Sequence, residues 1–192
     1  MKERYEIRLA GTGGQGILLA GLILAEAGLL EGHHIIHNQN YGPEARGGTS
    51  ISEVIFSTSE IDYPRTLGLD ILLALNQKAC DENLPDMKPD GLVIIDNDLV
   101  EQVFWGKVER VPISHCAQEE FKSTRVANIL ALGTLVPFCS WVTPASVRNA
   151  IKKSMPPLVA RANLPAFEEG LKLARSLKKS LKSEEVEGAT EV

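Results

Sequence analysis

The sequence predicts a single three-layer α/β/α domain on a mostly parallel, Rossmann-like sheet. Three observations carry this fold class. A short apolar strand runs directly into a glycine-dense loop and a long apolar stretch, RLAGTGGQGILLAGL at residues 8–22. Two continuous apolar runs, DILLALN and GLVIID, end in polar residues, the pattern of strands buried on both faces of a parallel sheet. Strand-like and helix-like segments also alternate before the chain turns wholly helical. The chain has 192 residues, a length at which one core is expected, with 44% apolar and 23% charged residues.

Taken in order, Tyr5 to Ala10 reads as a strand and Gln15 to Glu31 as a helix. That helix has so little polar surface that it needs cover on more than one side. His33 to Asn38 is the second strand, and NYGPEARGGT at residues 40–49 is a loop by its glycine, proline and polar content. Ser50 to Phe56 alternates Ile51, Glu53 and Ile55 with Ser52, Val54 and Phe56, a half-buried third strand. Asp70 to Asn76 and Gly91 to Asp96 are the buried runs, and Gln77 to Asn83 between them fits a short crossover helix. Glu109 to Ile113 suits one more strand.

Helices are then expected over Thr124–Phe138, Thr143–Lys153 and Asn163–Leu181. Thr143 followed by Pro144 is a helix start signal. Leu164, Phe167, Leu171, Ala174, Leu177 and Leu181 recur every three or four residues, so the last helix buries one face. Ser183 to Val192 is acidic and lacks aromatics, and is expected to fray. The expectation is one domain over residues 1–182 and a flexible acidic tail over 183–192.

The net charge of −5 argues against a nucleic-acid partner. The late Lys and Arg residues, Arg148 to Lys182, alternate with helix-spaced apolar positions, as on a solvated helix face. No signal peptide is visible, and the longest apolar run, Ile17 to Leu30, falls short of the ~20 residues a bilayer span needs. A soluble cytoplasmic protein with no membrane association is expected. Cys80, Cys116 and Cys139 are odd in number and widely spaced, which suits reduced thiols. Without a C-x-x-C, the chain alone is not expected to ligate an iron–sulfur cluster or a structural zinc.

The main candidate site is the loop Gly11, Thr12, Gly13, Gly14, Gln15 and Gly16. Its glycines at 11, 13 and 16 have the spacing G-x-G-x-x-G between a strand and a helix. Glycine permits positive φ, expected at Gly13, and lets backbone approach a ligand, while the helix aims unpaired N–H groups at an anion. A nicotinamide dinucleotide would need an acidic residue at the end of the second strand, where Asn38, Gln39 and Asn40 stand; Glu31 precedes that strand. Ile17 and Leu18 replace the Lys and Ser/Thr of a P-loop. Tight strand–helix packing alone is the plain alternative.

The loop after the second strand, NQNYGPEARGG, is expected at the same carboxyl edge of the sheet. It offers Tyr41, Glu44, Arg46, Gly47 and Gly48: an aromatic face, a carboxylate and a guanidinium on a glycine-rich backbone. His33, His34 and His37 suit strand-end packing rather than a metal. His115 and Cys116 are adjacent, so they do not point at each other as a dyad. Asp96 and Asp98 suit a turn and a helix cap, and Asn128 is a buried amide in need of partners. No catalytic residue and no metal ligand set is assigned.

GTGGQG at 11–16, YGPEARGG at 41–48 and SEVIFS at 52–57 together resemble the gamma subunit of 2-oxoacid:ferredoxin oxidoreductases. Ile61-Asp62-Tyr63-Pro64, the stretch Val126 to Gly133, and Asn163 through Phe167 to Gly170 continue the likeness. It covers nearly the whole chain apart from the acidic tail, and YGPEARGG is most similar to the 2-oxoglutarate branch. The resemblance implies an enzyme in which a 2-oxoacid is decarboxylated on thiamine diphosphate and oxidised through iron–sulfur clusters to ferredoxin, the acyl group passing to coenzyme A. Thiamine diphosphate, Mg and the clusters would belong to alpha, beta and delta partners. This chain, inactive alone, would help bind coenzyme A through the two loops and close the active site. In agreement, it has no G-D-G followed by a distant N-N for a metal–diphosphate site; Pro89-Asp90-Gly91 only grazes that pattern. A stand-alone nicotinamide or flavin oxidoreductase and a non-catalytic assembly subunit are the alternatives.

Overall fold

A computed structural model describes residues 3–41 and 48–188, with side chains for 3–40 and 48–177. The order is β1 (Arg4–Thr12), α1 (Ile17–Leu30), β2 (His34–Tyr41), β3 (Thr49–Ser57), β4 (Leu69–Ala74), α2 (Gln77–Asn83), β5 (Met87–Asp96), β6 (Val108–Val111), α3 (Ile113–Phe121), α4 (Ala127–Leu135), α5 (Pro144–Ser154) and α6 (Pro157–Gly188). The six strands lie in the order β2-β3-β1-β4-β5-β6. β1, β4, β5 and β6 are parallel, as the continuous apolar runs require. β3 runs antiparallel to both β1 and β2, so β2 points the same way as β1 with β3 between them.

The two faces of the sheet are unequal. Ile7, Leu9, Val54, Phe56, Ile71, Leu73 and Ile94 face the larger core, beneath α1 and α3–α6. Ala10, Leu72, Ala74, Val93 and Ile95 face the smaller one, beneath Ala79 and Cys80 of α2 and Val100. α1 packs against β2 and β3 on one side and α5 on another, the two-sided cover its composition called for. No helix among the described residues is long and apolar enough to cross a membrane.

The smaller-core side of β1 and β3 also carries a charged cluster that the apolar pattern does not announce. Arg8, only 8% exposed, donates to Glu53 Oε1 from Nε at 2.9 Å and to Asn83 Oδ1 from Nη1 at 2.9 Å, and pairs with Asp86. Glu6 accepts from the backbone of Leu67 at 2.7 Å and Gly68 at 3.0 Å. These contacts draw the segment between β3 and β4 across the sheet and satisfy charges that burial would otherwise penalise.

Three helical expectations change. Residues 113–121, of which only Ile113 was expected in structure and that in a strand, form α3. Its N-cap, Pro112, has no side-chain acceptor, and the cap comes from the end of β5 instead. Buried Asp96 accepts from Ser114 N at 3.1 Å, and Asp98 accepts from His115 N at 2.8 Å. The stretch expected as one helix over Thr124–Phe138 is α4 with a 3-10 turn at each end. α6 begins at Pro157 rather than Asn163, continues past Pro165, and its backbone reaches Gly188, into the stretch expected as tail. α5 starts as expected: Thr143 and Ser146 form a reciprocal capping box.

Candidate functional site

The β1–α1 loop is held by its own backbone and by two side-chain amides, one within the loop and one distant in sequence. Gln15 N donates to Thr12 O at 3.1 Å, closing a turn, and Gln15 Oε1 accepts from Thr12 N at 2.7 Å. Gln15 Nε2 reaches Leu75 O at 3.4 Å, at the end of β4. Gln15 thus braces the loop. A Cβ on Gly11 would meet Gln15 Oε1 at 2.5 Å, so glycine there admits the brace. The left-handed glycines are Gly14 (φ 93°) and Gly16 (φ 74°); Gly13, expected at positive φ, is not one of them. A Cβ on Gly13 would have, among the described residues, Gly48 O at 3.9 Å as its nearest contact.

Gly16 caps α1 without a side-chain hydrogen bond, and the first turn of the helix holds no acidic residue. Among the described residues, the first N–H groups of this 14-residue helix therefore find no side-chain acceptor beside a loop of small residues. With the helix dipole behind them, such groups are able to receive an anion. Asn128, in the first turn of α4 and 5% exposed, donates from Nδ2 to Gly16 O at 3.1 Å. Sequence reasoning singled out Asn128 as a buried amide whose partner would be a nearby loop backbone, which Gly16 O is, without naming this loop.

The second loop meets the first. Tyr41 ends β2 opposite Ser50, and Gly13 N donates to Gly48 O at 3.0 Å. Glu44, Arg46 and Gly47, and the side chain of Tyr41, lie outside the described residues. Because β3 separates β2 from β1, the end of β2 stands about 10 Å across the sheet from the glycine loop. The nicotinamide arrangement, with a ribose-binding acid on the strand beside the loop, is absent among the described residues. Asn38, at the end expected for β2, spends its Nδ2 on Pro64 O at 2.6 Å.

The other candidates take structural roles. His33 packs on Trp141, with ring centroids 4.7 Å apart, and His37 Nε2 lies 2.7 Å from Ser52 Oγ with burial lowering its pKa. Asp96 and Asp98 cap α3, and burial raises the Asp96 pKa despite its bonds from Ser114. All three thiols are buried: Cys80 and Cys139 are pushed up to about 11 by desolvation, and Cys116 is also raised. Cys80 lies in the smaller core and the other two in the larger one. Among the described residues no group of three His, Cys, Asp or Glu could hold a metal.

With both loops at one sheet edge, comparison with known proteins decides the family. Residues 6–173 match the family model described as pyruvate ferredoxin/flavodoxin oxidoreductase. The chain belongs to that family. It is 42% identical to the 2-oxoglutarate synthase subunit KorC of Methanocaldococcus jannaschii, over 92% of this chain and 97% of that one. It is 34% identical to the ketoisovalerate oxidoreductase subunit VorA of Methanothermobacter thermautotrophicus, covering 88% of this chain but 36% of that longer one. The keto/oxoacid ferredoxin oxidoreductase gamma subunit of Geobacter sulfurreducens superposes with a TM-score of 0.81 at 38% identity, covering 91% of this chain and 98% of that one. The 2-oxoglutarate:ferredoxin oxidoreductase of Magnetococcus marinus, described with 2-oxoglutarate, coenzyme A and succinyl-CoA bound, superposes at 0.82 with 25% identity, over 92% of this chain and 32% of that one. The expected family, fold and oxidoreductase class therefore hold, and both loops lie inside the matched region.

Proposed function

We propose that this chain is the gamma-type subunit of a 2-oxoacid:ferredoxin oxidoreductase acting on 2-oxoglutarate, and that its two loops hold coenzyme A as the acyl group is transferred. The observation that carries the coenzyme A reading is the uncapped N-terminus of α1 above an open glycine loop. Such a site takes a phosphate, and coenzyme A is the phosphate-bearing substrate of this reaction class. Arg46, four residues into the segment that follows Gly42, supplies a guanidinium able to grip a phosphate with two parallel hydrogen bonds.

The donor set of this chain does not fit thiamine diphosphate with its Mg or an iron–sulfur cluster. Its thiols are buried on opposite sides of the sheet and cannot converge on a cluster, and the described residues offer no group of three His, Cys, Asp or Glu for a metal. Those cofactors belong to alpha, beta and delta partners, with ferredoxin as the acceptor, and the complex works in the cytoplasm, where free thiols persist. Purified alone, the chain is expected to give no 2-oxoglutarate-dependent reduction of a viologen dye; adding the partner chains is expected to restore it. Turnover by the lone chain would overturn the assignment.

A further inference from the structure

β2 ends the sheet, and among the described residues no strand pairs with its outer side. Which of its backbone groups face outward follows from the next ladder. Thr58 N donates to Glu3 O at 3.1 Å and Gly13 N to Gly48 O at 3.0 Å, at the two ends of the unshifted β1–β3 register. The even-numbered residues of β3 therefore bond β1, and the odd-numbered Ile51, Glu53, Ile55 and Ser57 bond β2. Their partners Asn40, Asn38, Ile36 and His34 turn their backbone groups inward. The N–H and C=O groups of Ile35, His37, Gln39 and Tyr41 point off the sheet.

Natural sheets blunt such an edge with lysine, proline, a bulge or a very short strand. β2 has none of these: HIIHNQNY is eight residues long, carries no charged residue and no proline, and keeps register with β3 throughout. A leucine surface flanks it on the larger-core face. A Cβ on Gly21 would meet Ser52 and His37, and one on Gly28 would meet Ile35 and Phe56, so α1 lies on the sheet along this line, over β2 and β3. Ala20, Leu24 and Ala27, on the flank toward β1, are buried. Leu22 and Leu29 each follow one of the two glycines, about 100° round the helix, and stand 43% and 54% exposed on the opposite flank, above the open edge.

We propose that this surface joins two copies of the chain across a two-fold axis normal to the sheet. β2 pairs antiparallel with its counterpart about Asn38, so that Ile35 of one copy bonds Tyr41 of the other and His37 bonds Gln39. A second copy is the occupant because the surface complements itself. The strand sets no charge opposite a like charge, and each outward residue from Ile35 to Tyr41 meets another in one register. The helices also fit. α1 lies between β2 and β3, half a strand spacing inside the edge, so the two helix axes stand two spacings apart, ~10 Å, where helices pack. Gly21 lies on His37, beside the axis, so Leu18 and Leu22, one turn apart, face their counterparts as an isologous contact requires. This assembly does not depend on what the glycine loop binds.

Sedimentation equilibrium of the full chain tests it, and the unaltered chain is expected to run with twice the mass of one chain. Gln39→Pro removes an outward N–H while leaving the bonds from β2 to β3, and Leu22→Lys sets a charge at an exposed helix position between the two copies. Each is expected to weaken dimerisation at least tenfold with circular dichroism unchanged. Asn38→Cys puts two thiols in a non-hydrogen-bonded pair, with Cα atoms about 4.5 Å apart, and is expected to give a covalent dimer on mild oxidation. His34→Cys, on the same face but four residues from the axis, is expected to give none, and the native thiols are buried. Should Gln39→Pro fail to fold, Leu22→Lys and the paired cysteine variants decide alone. A monomeric unaltered chain, or variants that dimerise as tightly as it does, would overturn the proposal. So would a dimer that Leu22→Lys dissociates but Asn38→Cys does not cross-link, since its strands would not be paired.

Discussion

Gly16→Ala tests how firmly the loop is held. At φ 74° an alanine occupies left-handed backbone, which costs an L residue about 1–2 kcal/mol. Its Cβ would also stand 2.4 Å from Asn128 Nδ2 and 2.9 Å from Asn128 Cγ. Asn128 then has to move, breaking its bond to Gly16 O and leaving a buried amide unpaired, at about 1–3 kcal/mol. The sum, about 2–5 kcal/mol, is a large share of the ~5–15 kcal/mol that holds a domain. Gly14 is the internal control: φ is 93°, but a Cβ there would meet nothing within 4 Å among the described residues, so Gly14→Ala is expected to cost only the backbone share. Denaturant unfolding, compared at constant m, reads both. In an Asn128→Ala background, Gly16→Ala is expected to cost no more than Gly14→Ala. If Gly16→Ala alone is no worse than Gly14→Ala, or if the costs of the double variant simply add, Asn128 does not brace the loop.

Gly133→Ala is expected to destabilise by about 1–3 kcal/mol in the same assay, because the added Cβ would lie 2.3 Å from Phe167 O where α4 crosses α6; a neutral result would mean the helices are not in contact there. Because Cys80 and Cys139 are buried with thiols pushed up to about 11, and Cys116 is buried with its thiol raised, a thiol-titrating reagent at neutral pH is expected to react slowly with native chain and with all three cysteines only after denaturation. Arg46→Ala is expected to raise the KM for coenzyme A by roughly ten- to a hundredfold, the loss of a charge-assisted pair, with the KM for the 2-oxoacid unchanged in steady-state kinetics of the complex.

What the sequence discloses and what it hides divide along local and remote interactions. β1, the glycine loop and α1 are legible because their signals lie within one short stretch, RLAGTGGQGILLAGL. α5 is legible because Thr143, Pro144 and Ser146 build its start from consecutive residues. α3 is not, since its cap comes from Asp96 and Asp98, on the far side of a strand in sequence. The place of β3 between β1 and β2 is equally hidden: alternation identifies a half-buried strand but not its neighbours. That placement decides against the nicotinamide reading more firmly than the missing carboxylate does. At the site, glycine spacing found the loop, yet it assigned positive φ to Gly13 when the turn demands it at Gly14 and Gly16. The bonds from Asn128 to Gly16 and from Gln15 to Leu75 span 112 and 60 residues, beyond the reach of any local pattern.

Gly13 gives the most direct measurement of the central claim, that the β1–α1 loop receives coenzyme A. Among the described residues the fold leaves room for a side chain there, with no atom nearer than 3.9 Å to an added Cβ and no left-handed backbone to forbid one. Gly13→Val is therefore expected to leave folding and assembly intact while its branched side chain fills the space over which a phosphate approaches α1. In the reconstituted complex the KM for coenzyme A is expected to rise by about tenfold or more, with the KM for 2-oxoglutarate unchanged. An assembled Gly13→Val complex with an unaltered KM for coenzyme A would contradict the claim.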